Sequence, residues 1–239
     1  MKKLKSLISY FSRAELMLWA GSVGVITVSF ALLDRENFLT LAASLIGVTA
    51  LIFNAKGNPI GQVLMTIFSL IYGVISYSFC YYGEMLTYLG LSMPMAVFSL
   101  VVWLRHPYGG NRAEVAVGRL SGREQAFMWT LTAVVTAIFY FILRAFGTAN
   151  LIPSTISVTT SFAGVYLTAR RSPFYAIAYA ANDVVLIVLW TLATLSDVSY
   201  LSVTICFAAF LANDVYGFVN WRRMEKRQRG TAGAAGAAS

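Results

Sequence analysis

Residues 173–195 read PFYAIAYAANDVVLIVLWTLATL. At about 1.5 Å per residue, one helix of this length crosses the roughly 30 Å hydrocarbon core of a bilayer. The run holds no Lys or Arg, yet Asn182-Asp183 stands near its centre, and a second pair, Asn213-Asp214, stands inside the last apolar stretch. A carboxylate at such depth costs about 2.5–3.5 kcal/mol on insertion scales, so each must find amides, hydroxyls, water or a ligand.

Working outward, the 239-residue chain is 58% hydrophobic and 12% charged, with a mean hydropathy of +0.69, which excludes a soluble globular domain. The net charge of +8 does not indicate nucleic acid, because the basic residues lie between apolar runs and not across a solvated fold. The spanning rule predicts eight transmembrane helices, at 16–33, 38–53, 59–81, 85–104, 126–146, 153–169, 173–195 and 198–221. Pro59, Pro153 and Pro173 fall at helix starts, while Pro94 falls inside the fourth span and predicts a kink there. The first apolar run is too long for a signal-peptide core and is read as a helix of the mature protein.

With the N-terminus inside, 16 of the 18 Lys and Arg residues fall on inner segments, and only Arg35 and Arg144 fall outside. The positive-inside rule thus places both termini in the cytoplasm. The connection 105–125 reads as a tether, its His106 has no evident acid–base partner, and the Gly/Ala-rich tail reads as disordered. Trp103 and Trp221, each beside arginine at a helix end, read as interfacial anchors.

Ser44, Gly47 and Val48 recur as Ser161, Gly164 and Val165, 117 residues on. Pro59 pairs with Pro173 after a shorter loop, and Val102-Trp103-Leu104-Arg105 pairs with Asn220-Trp221-Arg222-Arg223 at 118. A three-helix unit ends on the side opposite its start, so two parallel copies need one helix between them, and 126–146 supplies it. The expected fold is an all-α polytopic membrane protein with a parallel 3+1+3 helix repeat, a SWEET-like arrangement, plus one extra N-terminal transmembrane helix. Its parts are a basic segment with the extra helix at 1–37, a first repeat at 38–104, a loop and linker helix at 105–152, a second repeat at 153–223 and a disordered tail at 224–239.

Helical spacing gathers Tyr179, Asp183 and Trp190 on one face of the seventh span, and Asn213, Tyr216 and Asn220 on one face of the eighth. Aromatics flanking amides and acids suit a small aromatic, hydroxylated, cationic solute. Asn182, Asp214, Gln62 and Tyr72 complete the candidate substrate-binding set. Phe68 and Ser69 stand at the first-repeat positions of Asn182 and Asp183, and Met95 and Ala96 at those of Asn213 and Asp214, so the polar site belongs to one copy. The simpler reading makes the Asn-Asp pairs interhelical glue. Enzyme chemistry lacks an inward histidine, a metal-ligand cluster or a nucleophile with its base, and no cofactor is expected.

Between about Leu39 and Arg223 the chain resembles the PnuC family of nicotinamide riboside transporters. The resemblance rests on Tyr82-Gly83-Glu84 with Met93-Pro94-Met95 and Trp103, on Arg170-Arg171 through Tyr179, Asp183 and Trp190, and on Asn213-Asp214-Val215-Tyr216-Gly217 with Asn220-Trp221. It implies facilitated diffusion of nicotinamide riboside across a bacterial inner membrane for NAD biosynthesis, a homotrimer, and Tyr179, Asp183 and Asn213 as substrate contacts. Ala176 stands where the family motif has its first Trp, and Ala96 where the family often has Gln. A carrier of the same fold for thiamine, riboflavin or a deoxynucleoside, or a proton-coupled variant, is the alternative.

Overall fold

A computed structural model describes residues 10–78, 82–148 and 150–236; the basic residues 2–5 and Cys80 lie outside these. The described chain is helical apart from one short hairpin. Its elements are α1 (Arg13–Leu33), α2 (Phe38–Ala55), α3 (Ile60–Ser78), α4 (Tyr82–Leu86), a π-helical segment (Thr87–Ser92), α5 (Met93–Arg105), β1 (Pro107–Tyr108), β2 (Asn111–Val115), α6 (Gly122–Ala145), α7 (Leu151–Ala169), α8 (Tyr175–Thr194) and α9 (Leu201–Gly236).

Seven segments are long and apolar enough to cross a membrane: α1, α2, α3, the continuous Tyr82–Arg105, α6, α8 and α9. The eighth expected span is present as α7, whose 19 residues match the length of α3, but seven of them are Ser or Thr and lower its hydropathy. Thr155, Thr159 and Thr168 turn their hydroxyls back onto carbonyls four residues earlier. These groups therefore need no water, and α7 packs against α5, α6 and α8.

The kink expected at Pro94 takes a specific form. Pro94 sits at the start of α5 and supplies no N–H, and the turn before it widens so that Met93 N–H donates to Tyr88 O, five residues back. The widened turn carries Tyr88 and Ser92 toward the bundle interior, where both line the central cavity.

At one end of the bundle two turns are built alike. Asn58 N–H donates to Phe53 O and Ser172 N–H to Leu167 O, Gly61 N–H to Asn58 O and Tyr175 N–H to Ser172 O, all at a constant spacing of 114 residues. Gly57 and Arg171 hold the left-handed conformation that both turns require, at φ 65° and 57°. The two turns thus superpose at 114 from the last helical turn onward, and sequence matching expected a shorter second loop that the structure does not show.

Trp103 and Trp221 are not interfacial anchors. They are 1% and 0% exposed, their rings pack 5.5 Å apart, and each indole N–H closes a carbonyl near the end of a helix across the bundle: Trp103 that of Thr168 at 2.9 Å, Trp221 that of Asn54 at 2.7 Å. Those carbonyls belong to the last turns of α7 and α2 and also accept a backbone N–H from the turn that follows, Thr168 O from Arg171 at 3.0 Å and Asn54 O from Gly57 at 2.9 Å, so each indole supplies a second donor.

Two further expectations are corrected at this end. The 105–125 connection is no loose tether: β1 and β2 form a hairpin through Gly109 and Gly110, both at positive φ, and Val115 is fully buried. Val115 N–H donates to Gly57 O, and Gly118 N–H to Arg171 O, so this strap fastens both turns. The tail from 224 is helical to Gly236, with Met224, Glu225 and Gln228 buried and Gln228 bonded to Glu114, Val115 and Val117. Of this tail, residues 237–239 fall outside the description.

Trp103→Phe or Trp221→Phe keeps an aromatic ring and removes one of the two donors on a buried carbonyl. Each substitution is expected to cost about 0.5–1.5 kcal/mol of stability, read as a lowered Tm in detergent. Unchanged melting of both variants would show that the backbone donor alone satisfies each carbonyl.

Candidate functional site

Six elements enclose one cavity: α2, α3, the π-helical segment with α5, α7, α8 and α9. α1 and α6 contribute nothing to its wall. Its volume is about 50 Å³, room for very few waters and far below the roughly 300–1,000 Å³ of a small-molecule site.

α8 supplies the chemistry. Asn182 and Asp183 are 6% and 4% exposed and face the cavity together with Tyr179. The side-chain oxygen of Asn182 accepts from Ser157 at 3.1 Å, Thr160 at 2.9 Å and Ser161 at 3.1 Å, three hydroxyls of α7 on one acceptor. This fixes the amide with Nδ2 as the end left to donate. The Tyr179 ring lies against Gly164, where an added Cβ would sit 3.0 Å from the ring, so the glycine recognised as a repeated position is the seat of this aromatic. Gly47 does the same for Phe210, whose ring would stand 2.4 Å from a Cβ there.

α9 brings Asp214, 4% exposed, opposite Asp183 and within hydrogen-bonding reach of it. Among the described residues, no amide, hydroxyl or cationic donor reaches Asp183 Oδ2, and no Lys, Arg or His lines the cavity. Two carboxyl groups in so dry a place call for a cation between them, either a proton or a cationic solute.

The opposite wall is uncharged, with both apolar and neutral polar side chains. Phe68, Ser69, Met95 and Ala96, singled out as first-copy counterparts of the Asn-Asp pairs, all line this cavity. Ser69 Oγ is buried there without a partner. Gln62 also lines it, its Nε2 donating to Asn54 Oδ1 at 2.8 Å. Tyr88 and Ser92 line it too and were missed, because nothing in an apolar run announces a widened turn except Pro94, which marked the place but not its shape; Tyr175, one turn before Tyr179 on α8, was missed as well.

Five of the ten expected site residues therefore meet: Gln62, Tyr179, Asn182, Asp183 and Asp214. The other five do not. Tyr72 and Trp190 lie together at a separate small pocket with Asp34, Asn37 and Tyr200. Trp190 packs 5.6 Å from the Tyr200 ring, since its two-turn separation from Asp183 carries it toward the far end of α8. Asn213 Nδ2 is spent on Ser22 Oγ at 2.9 Å and Ala209 O at 2.8 Å, which makes it the glue between α1 and α9. The Tyr216 hydroxyl donates to Glu15 at 3.1 Å, a buried carboxylate that Lys56 also holds at 3.0 Å. Asn220 Nδ2 donates to Ala55 O at 2.8 Å, in the C-terminal turn of α2.

The chain matches a family described as nicotinamide mononucleotide transporter over residues 37–223. A nicotinamide riboside transporter PnuC of Neisseria mucosa is 25% identical over 227 residues, covering 93% of this chain and 84% of that one. One of Haemophilus influenzae is 20% identical over 193 residues, covering 80% and 82%. The crystal structure of a vitamin B3 transporter PnuC superposes with a TM-score of 0.80 at 23% identity, covering 91% of this chain and 94% of the other.

Asn213→Leu and Asn182→Leu separate glue from site. The first strands the Ser22 hydroxyl between α1 and α9 and is expected to lower stability by about 1–2 kcal/mol. The second leaves three hydroxyls that can turn to carbonyls of their own helix, as Thr160 already does, and should change melting by less than about 1 kcal/mol. Thermal melts of both variants check this; a larger loss at Asn182 would make it a structural residue first.

Proposed function

The chain belongs to the nicotinamide mononucleotide transporter family, and we propose that the solute it carries is nicotinamide riboside, supplied to NAD biosynthesis by facilitated diffusion. It is a transporter and not an enzyme. The observation that carries the choice of solute is the charge of the cavity: two carboxyl groups and no cationic side chain. Nicotinamide riboside brings a pyridinium cation that answers this, whereas the mononucleotide adds a phosphate that would be buried beside Asp183 and Asp214 with nothing to pair it. The names of the Neisseria and Haemophilus relatives point to the riboside as well.

In this reading the nicotinamide ring stacks on Tyr179, its pyridinium charge faces Asp183 and Asp214, and Asn182 Nδ2 with Gln62 binds the carboxamide and ribose hydroxyls. Trp190, Tyr72, Tyr216, Asn213 and Asn220 act at a distance, by holding helices in place.

The architecture is the parallel 3+1+3 repeat, with repeats at 38–104 and 153–223, α6 as linker and α1 as the extra helix. Three observations support it. The cavity draws on three spans of each unit and skips α1 and α6. The two turns carry equivalent hydrogen bonds, and the two tryptophans exchange equivalent ones between units. The Phe68-Ser69 and Met95-Ala96 pairs face Asn182, Asp183 and Asp214 across one space. Lys56, Arg119, Arg170 and Arg222 cluster at the end that holds the tryptophans, the hairpin and the start of α1, which supports a cytoplasmic position for that end. The homotrimer follows from the resemblance alone.

Calorimetry on the purified protein tests the solute. Heat is expected with nicotinamide riboside and none with the mononucleotide at the same concentration. Asp183→Asn should weaken the riboside by about tenfold to a hundredfold, as loss of a charged partner does. Equal heat from the mononucleotide would defeat the charge argument. Heat only from thiamine, riboflavin or a deoxynucleoside would move the substrate and leave the carrier standing.

A further inference from the structure

Away from the central cavity, a groove of about 600 Å³ opens on the flank of the bundle between α6, α7 and α8. Phe174, Ile177, Ala178 and Ala181 form one face of α8 along it, opposite Ala163 and Leu167 of α7, with Trp129 of α6 at the side. From Phe174 to Ala181 the groove runs about 10 Å into the apolar zone. Phe174, Ile177 and Trp129 are each about half exposed, and every wall below the mouth is apolar or hydroxyl-bearing.

The mouth is different. Arg119, Arg222 and Arg229 converge on the single buried carboxylate of Glu225, Arg119 at 3.7 Å, Arg222 at 2.7 Å and Arg229 in close contact. Three guanidinium groups on one carboxylate leave an excess of two positive charges. All three remain roughly half exposed, so donors are left over that Glu225 does not use. Arg222 also stacks over the Phe174 ring, 5.8 Å from its centroid, which ties the charged mouth to the apolar wall.

We propose that this groove is a binding site for an anionic phospholipid, whose phosphodiester sits among Arg119, Arg222 and Arg229 while an acyl chain lies along Phe174, Ile177 and Ala181. A phosphate at that mouth meets guanidinium donors that Glu225 does not use, and the apolar groove receives the part of the acyl chain nearest the headgroup. A free anion would use only the mouth; a neutral lipid would use only the groove. The inference needs membrane embedding and is independent of the solute carried.

Native mass spectrometry and thermal melts on the purified full chain test it, with phosphatidylglycerol, cardiolipin, phosphatidylcholine or inorganic phosphate added separately. The two anionic lipids are expected to remain bound and raise Tm, and phosphatidylcholine and inorganic phosphate to do neither. Arg119→Gln with Arg229→Gln leaves Arg222 to neutralise Glu225 and should weaken lipid retention roughly thirtyfold, from about fivefold per arginine. Ala181→Phe plugs the groove with every charge intact and should also abolish the shift. Equal shifts with phosphatidylcholine, a shift reproduced by inorganic phosphate alone, or retention by both variants would each overturn the proposal. So would anionic lipid changing only the number of copies in the particle, which would make the groove an interface.

Discussion

Where helix ends lie among other helices of a membrane protein, the carbonyls of their last turns are closed by donors of the protein itself. Thr168 O of α7 and Asn54 O of α2 each accept two, a backbone N–H from Arg171 or Gly57 in the following turn and an indole N–H given reciprocally, Trp103 to α7 and Trp221 to α2. The indole rings also touch, so the ends of α2, α5 and α7 and the middle of α9 converge on one contact. The hairpin fastens to the turns that follow α2 and α7, and the C-terminal part of α9 fastens to the hairpin. The far side has no such clamp among the described residues, and the cavity lies between the clamped ends and the remaining span of the bundle.

Much of this was legible because the bilayer imposes a blunt rule on composition. Every expected span appears as a helical segment, within a few residues of its expected limits except at the C-terminal end of the last, which runs on to Gly236, and the carboxylates inside the apolar runs, Asp183 and Asp214, do reach the same cavity. What failed were statements about direction and depth. Asn213 adjoins Asp214 in sequence, but successive helical residues point about 100° apart, so one faces α1 and the other the cavity. Trp190 shares a helical face with Asp183 yet stands about 10 Å further along it. The interfacial reading of the tryptophans used only their neighbours in sequence, and their partners, Thr168 and Asn54, are remote in the chain. The same holds for the tail, where a Gly/Ala-rich composition at its end obscured the helix formed by Met224, Glu225 and Gln228 against the hairpin.

The cavity shows how a duplicated scaffold can hold a site of one sign. One wall carries Asn182 and both carboxyl groups, the other Phe68, Met95 and Ala96 with the neutral polar groups of Gln62, Ser69, Ser92 and Ser99. The two carboxyl groups thus lie on one side of the space, and the residues opposite them are uncharged. Gly164 and Gly47 have parallel duties, each making room for a ring, but only Tyr179 of those two rings carries a hydroxyl beside the acids.

The small volume of that cavity has a kinetic meaning. A space of about 50 Å³ and a nucleoside cannot occupy the core together, so no continuous water-filled path joins the two faces in this conformation. Each molecule that crosses must be matched by a displacement of helices, and throughput counts such cycles. Flux by such cycles would saturate as the solute is raised on one side, and solute on the far side would compete for the same core. A carrier closed in this way works as a turnstile, and a leak of ions through it would require the aromatic core of Phe68, Tyr88 and Phe210 itself to part.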